Sequence, residues 1–580
     1  MRFRTAAFSV FVCALTACGG GGGSSSGGTV LPAVGGVTTP VNVSGPVTYM
    51  QSSGPLATSG TIVKGTSSAL VAVISGVAQP PSAFTADTLT VASNAPATQS
   101  VARADESAHA YVKPLYAHPA EAFAADDSAL LARLHATLVP GAAPSAPRSR
   151  SALMSAAAVG AQTNVWVQQG GYNSRTNVQV PATLIAQTAH GNIWAQNTLV
   201  SALTPNAAQL GAEFENAYTS DTAHFASPDY PSNAPALQPQ YTTCSPSGSH
   251  QGTAPAYIAQ PGDKRIDVMI VDSPTLGGLG GYFSAANLMT QGALNCLNAG
   301  YESNQAPFIF VGWFSNYGTA YELQEDYVRS TAHELQHLIN FVNHGILAAG
   351  ASSTSFNGNE AQYVNEGLSM LAQDFAVAQL YGSRGVQFDS ADALARAQAY
   401  LADPSAYSIS AFSGIDPGVW GGNGSTAQYN CSGGCYGGAY LFMRYLRDRY
   451  GENFTHAMET SGVTGAANLQ GVTGENAGQL FGDFALAMAA NTLGVNGADP
   501  RFAFGSLSLK ATYPDQLGTS TTLRGVSSTP LSGSGTTVRA PIGGFAFVAV
   551  PAVPASGASV QVTDGATVSG FSLLGGLAQH

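Results

Sequence analysis

Charge is what this sequence is short of. Only 9% of its 580 residues are Asp, Glu, Lys or Arg, against about 25% in an average soluble protein. The 33 acidic residues outnumber the 21 Lys and Arg, for a net charge of -12. No basic cluster forms, which excludes the electrostatic footprint of a nucleic-acid-binding protein. The same lack excludes a polybasic patch for anionic membranes. Past the N-terminus no apolar run is long enough to cross a bilayer. No calcium-loop motif and no internal repeat stand out, so calcium-sensor and solenoid readings have no support. Cysteine is scarce, with six in the chain, whereas the 67 glycines are plentiful. Small and hydroxyl-bearing residues fill the surface that charge leaves bare.

The N-terminus reads as a targeting segment. Arg2 and Arg4 precede a short apolar run over residues 6–15, too short for a spanning helix in the mature chain. Leu15-Thr16-Ala17-Cys18 resembles the lipobox of bacterial lipoproteins. That resemblance implies lipidation of Cys18 and anchoring to the outer membrane or cell surface. Cleavage by ordinary signal peptidase is the alternative, and either route exports the protein. Residues 19–28 contain only Gly and Ser, the composition of a flexible tether. Among the remaining cysteines, Cys244, Cys296, Cys431 and Cys435, an even number in an exported chain suggests two disulfides. Chain order favours Cys244–Cys296 and Cys431–Cys435, although four cysteines allow three pairings.

Texture divides the chain into a signal (1–17), a tether (18–40), a small β module (41–105) and a helical or linker segment (106–160). A catalytic domain (161–500) and a C-terminal β module (501–580) follow. A helix is expected over 120–138, and a propeptide within 31–158 is left open. Residues 164–167, 266–271 and 307–313 read as strands, the second as a nearly continuous apolar run suited to burial. Helical spacing covers 198–218, 322–343, 360–381, 390–401, 437–450 and 477–493. Strands first and helices second give an α+β class.

The decisive motif is His333-Glu334-Leu335-Gln336-His337. Positions four apart lie on one face of a helix, so both imidazoles can grip one zinc ion. Glu334 sits where it can take the proton of a water activated by the metal. Residues 322–343 hold no Pro and no Gly, and Gly345 is a plausible stop. A catalytic zinc needs a third protein ligand and one open position. Val364-Asn365-Glu366-Gly367-Leu368-Ser369 follows on a second helical segment. A turn and a return helix would bring Glu366 to the metal.

His333 to His337 followed by Asn365-Glu366-Gly367-Leu368-Ser369-Met370 resembles the hyicolysin family of bacterial zinc metallopeptidases. The Asn-Glu-Gly pattern is also similar to aminopeptidase-N-like enzymes, and both groups are distantly similar to thermolysin. The resemblance covers roughly 163–493 and implies a zincin-like domain, a mixed sheet followed by a helical subdomain. It implies zinc on His333, His337 and Glu366, and Glu334 as base. Thermolysin places an Asp four residues after the ligand Glu, where it orients the first His; here that position is Met370. Asp374, Asp326, Asn340 or backbone carbonyls are the expected replacements. Tyr436, then Tyr440, is the expected oxyanion donor, from its placement about 70 residues past the ligand Glu, as in the aminopeptidase-like group. His344 is read as a helix-end surface residue, and 308–312 as an edge strand for substrate.

The expected activity is that of a monomeric endopeptidase acting on proteins or peptides. An aminopeptidase would need an acidic anchor such as Gly-x-Met-Glu-Asn, which is missing. A non-catalytic surface adhesin with a zinc site is the other alternative, and it would have no need of Glu334.

Overall fold

The computed structural model describes residues 41–43, 47–53, 58–62, 68–74, 86–93, 138–139, 157–169, 176–230, 240–243, 251–255, 257–277, 280–296, 300–313, 320–348, 360–382, 390–414, 433–495, 499–514, 520–531, 535–541, 543–551, 558–564 and 572–579. The expected lipid site Cys18, and Cys244 and Cys431, lie outside them, as does nearly all of the helix expected over 120–138.

A six-stranded mixed sheet organises the central region. Its strands are β1 (Gln162–Gln169), β2 (Thr176–Gln187), β3 (Gly191–Gln196), β4 (Ile266–Asp272), β5 (Gly281–Phe283) and β6 (Phe308–Trp313). Their order is β5-β6-β4-β3-β2-β1. β4 lies between β3 and β6 and runs parallel to both. A strand covered on both faces needs apolar residues at successive positions, not alternate ones. β4 meets that need: Val268 and Ile270 enter the large core under the helices, while Met269 and Val271 enter a second core on the other face. Of the two acids in this strand, the buried Asp267 accepts hydrogen bonds from Trp194 Nε1 (2.8 Å) and Asn192 Nδ2 (3.0 Å).

The longer helices share the large core, and the first two of them pack directly on the sheet. They are α1 (Ala207–His224), α2 (Ala320–Asn340), α3 (Gln362–Gly382), α4 (Ala391–Ala402), α5 (Gly434–Tyr450), α6 (Phe454–Thr460), α7 (Gly465–Thr473) and α8 (Ala477–Leu493). The architecture is mixed α+β, as expected. The helix expected over 198–218 is broken, because Pro205 lies in a 3-10 turn at Thr204–Asn206 and cannot supply an interior helical N–H. α2 does not stop at Gly345; it widens into a π-helix over Phe341–Leu347.

The two β modules expected at the ends are not separate. Strands Val41–Val43, Thr58–Ile62 and Ala86–Ser93 share one five-stranded sheet with Ala558–Asp564 and Thr536–Pro541. Val47–Ser53 and Ser68–Ile74 share another with Thr529–Pro530, Phe545–Pro551 and Ser572–Gln579. The reason is visible in Ser68–Ile74, an apolar strand that needs a neighbour on each side. It finds Phe545–Pro551 on one and Ser572–Gln579 on the other, with Val71 facing both Val548 and Leu577. No helix of the described residues is long and apolar enough to cross a membrane.

Candidate metal centre

The sheet and two helices set the site. α2 packs against α3 and lies beside β5 and β6. It presents His333 and His337 one turn apart on the buried face, while α3 returns with Glu366. His333 and Glu366 are fully buried, and Glu334 and His337 nearly so. His333 Nε2 is 3.4 Å and His337 Nε2 3.6 Å from Glu366 Oε2. Donors bound about 2.1 Å from one tetrahedral ion stand roughly 3.4 Å apart. Among the described residues this is the one cluster of three His, Cys, Asp or Glu side chains that could hold a metal ion. Burial lowers the His337 pKa from 6.5 to about 4, against a smaller upward pull from its bond with Asn365. The ring is therefore neutral at pH 7, the form in which imidazole binds metals.

Glu334 is turned towards the sheet. Burial pushes its carboxyl well above the usual carboxylate range, and a hydrogen bond from the Phe283 backbone N–H pulls the other way. Phe283 belongs to β5, the terminal strand of the sheet on this side. The expectation that β6 forms the edge is thereby corrected: β6 lies between β5 and β4. Its residues Phe308 to Val311 are all buried, and an apolar run of that kind belongs inside a sheet.

Different residues from those expected hold the histidine rings. His337 Nδ1 lies 3.1 Å from Asn365 Oδ1 and 3.1 Å from Ser369 Oγ. His333 Nδ1 lies 2.9 Å from Gln373 Nε2; with the amide turned over, the same residue presents its oxygen to a ring N–H. The three expected orienters are engaged elsewhere. Asp374 pairs with Arg444 at 2.8 Å, Asp326 with Arg329 at 2.8 Å, and Asn340 donates to Glu459 at 3.1 Å. The missed residues were readable. Asn365, Ser369 and Gln373 are spaced by four along α3, so they form one polar stripe on the helix that carries Glu366.

Tyr436, in the first turn of α5, is fully buried with its ring centroid 6.4 Å from that of His333. The Arg396 guanidinium stands over the Tyr436 ring at 5.0 Å. Tyr440, one turn later, donates to Asp374 Oδ2 and accepts from Arg444 Nη1, both at 2.5 Å. Its hydroxyl is thus committed to an internal ion pair. α5 reaches the site because Gly367, next to Glu366, lets α3 press close; a Cβ there would stand 2.7 Å from the Ala439 carbonyl oxygen.

Cys435 is disulfide-bonded, whereas Cys296 ends a short helix at Gln291–Cys296. His344 is not at the surface. It is 2% exposed, and its Nε2 lies 3.1 Å from the Met458 carbonyl oxygen and 3.9 Å from Glu459 Oε2. In comparison with known proteins, no family model and no curated protein matches this chain.

Proposed function

We propose that this chain is a zinc-dependent endopeptidase of hyicolysin-like, zincin-like type, exported and lipid-anchored through Cys18. The observation that carries the reading is the buried triangle of His333 Nε2, His337 Nε2 and Glu366 Oε2, with sides from Glu366 of 3.4 and 3.6 Å, beside a carboxyl that takes no place in it. Two imidazole nitrogens and one carboxylate oxygen are a donor set suited to zinc. A bound zinc ion would polarise the scissile carbonyl and acidify a water. Glu334, its proton affinity raised by burial, would take a proton from that water and return it to the leaving amine. The Phe283 N–H holds that carboxyl in place. Tyr436, close to His333, supplies a phenol to stabilise the developing oxyanion. A purely structural metal site would leave Glu334 without a task.

The test compares wild type with Glu334→Gln for casein cleavage and zinc content. The expected variant keeps its zinc and loses at least about two orders of magnitude in rate. Equal rates would remove Glu334 from the chemistry. Cleavage confined to amino-acyl reporters would make the protein an aminopeptidase, and zinc-loaded protein silent on both substrates would make it a binding module.

A further inference from the structure

A chain of hydrogen bonds leaves the candidate metal centre and ends on a buried acid, 123 residues past Gln336 in sequence. Glu459, on α6, is 1% exposed. Its Oε1 accepts from Gln336 Nε2 at 2.6 Å, and Asn340 Nδ2 stands 3.1 Å from its Oε2. Gln336 and Asn340 are one turn apart on α2, so the helix that carries the histidines also reaches Glu459.

Burial raises the Glu459 pKa to about 8, and the donor directions along this chain are set when it is ionised. Amide N–H groups face both oxygens of Glu459, so the carboxylate accepts. Gln336 therefore points its nitrogen at Glu459 and its oxygen at Ser369. Ser369 Oγ donates to that oxygen, with the Asn365 backbone oxygen as a second acceptor at 3.0 Å. A hydroxyl has one proton, so Ser369 Oγ then faces His337 Nδ1, 3.1 Å away, with lone pairs only. Asn365 Oδ1 offers a second acceptor at 3.1 Å. His337 must answer with Nδ1–H, which leaves its Nε2 lone pair directed at the metal position beside Glu366.

We propose that Glu459 is a positioning residue for the metal centre, acting through Gln336 and Ser369 to fix the tautomer and orientation of His337. Metal-bound histidines usually donate their second N–H directly to a carboxylate or carbonyl. Here two neutral groups are spliced between ring and acid. Aligned hydrogen bonds polarise one another, so the influence of the terminal carboxylate reaches the ring. The inference rests on metal binding at His333, His337 and Glu366, but not on peptidase activity.

The test is zinc affinity of the full chain by chelator competition, with the Co²⁺ absorption spectrum as a report on ligand geometry. Glu459→Gln can present an N–H to Gln336 and so reverse the chain. It should weaken zinc about 10–100-fold and alter the cobalt spectrum. Ser369→Ala cuts the chain next to the ring and should do the same, so it serves if Glu459→Gln does not fold. In the Ser369→Ala background, Glu459→Gln should cost less than about threefold more, because coupled positions are not additive. Asn340→Ala removes a donor to Glu459 that is off the chain and should change affinity by less than about threefold. Additive losses, unchanged affinity in Glu459→Gln, or an equal loss in Asn340→Ala would each overturn the relay. Wild type that binds no zinc would overturn the proposed function as well. Intact chain-dependent zinc binding without proteolysis would overturn only the peptidase reading.

Discussion

Glu334 occupies the space that a side chain on Gly281 would need. A Cβ on Gly281 would stand 2.9 Å from Glu334 Oε1 and 2.7 Å from the Phe310 carbonyl oxygen. The terminal strand and the proposed base are therefore fitted to each other, and Gly281 is the residue that permits it. Gly281→Ala should displace the carboxylate while leaving the metal ligands in place. We expect casein cleavage to fall at least about tenfold with zinc content unchanged, at a stability cost of roughly 1–3 kcal/mol from overpacking. Activity, bound zinc and a urea melt on one preparation check all three.

The two tyrosines of α5 should separate by function. Tyr436→Phe removes a hydroxyl near His333. It should lower kcat of the folded protein by about 10²–10³. Tyr440→Phe breaks bonds to Asp374 and Arg444. It should cost roughly 1–3 kcal/mol of stability, and its folded fraction should retain most of the activity. The reverse pattern would exchange their roles.

Removing the metal should cost stability as well as activity. A ligand present at 100 times its Kd stabilises the folded state by about 2.7 kcal/mol. Calorimetry with and without a chelator should show that shift in wild type. In His337→Ala the two scans should come close together, since the zinc-dependent rise requires the ligand set.

Asp267 gives a pH prediction far from the metal. Burial raises its pKa from 3.8 to about 7, although bonds from Trp194 and Asn192 pull downward. The fold favours the protonated form. Its contribution is complete below pH 3.8 and is lost as pH rises through about 7. Asp267→Asn keeps an acceptor for both donors and has nothing to titrate. Its stability relative to wild type should rise between pH 4 and pH 8 by roughly 1–4 kcal/mol. Urea melts at the two pH values decide; a constant difference would contradict the shifted titration.

Much of this was legible in the sequence because periodicity records burial. The run at Ile266–Asp272 announced a strand buried on both faces, and the spacing of His333, His337 and Glu366 announced the donor triangle. What stayed hidden depends on partners distant in sequence. Nothing near Phe308–Trp313 shows that the three residues Gly281–Phe283 take the outer place in the sheet. His344 reads as polar and near a helix end, but α6 covers it. Met370 occupies the position where an acid was sought, and the ring partners lie instead at Asn365, Ser369 and Gln373. The separate reading of the two ends failed for the same reason, since strand partners leave no mark on either strand alone.

That pairing of the ends sets an order of events for the chain. Ser68–Ile74 precedes every residue of the candidate metal centre, yet both of its neighbours, Phe545–Pro551 and Ser572–Gln579, follow all of them. Until those arrive, an apolar strand waits with two unsatisfied edges, the condition under which strands join the wrong partner. The slow, long-range closure of this unit therefore comes only after every residue of the candidate metal centre has been made.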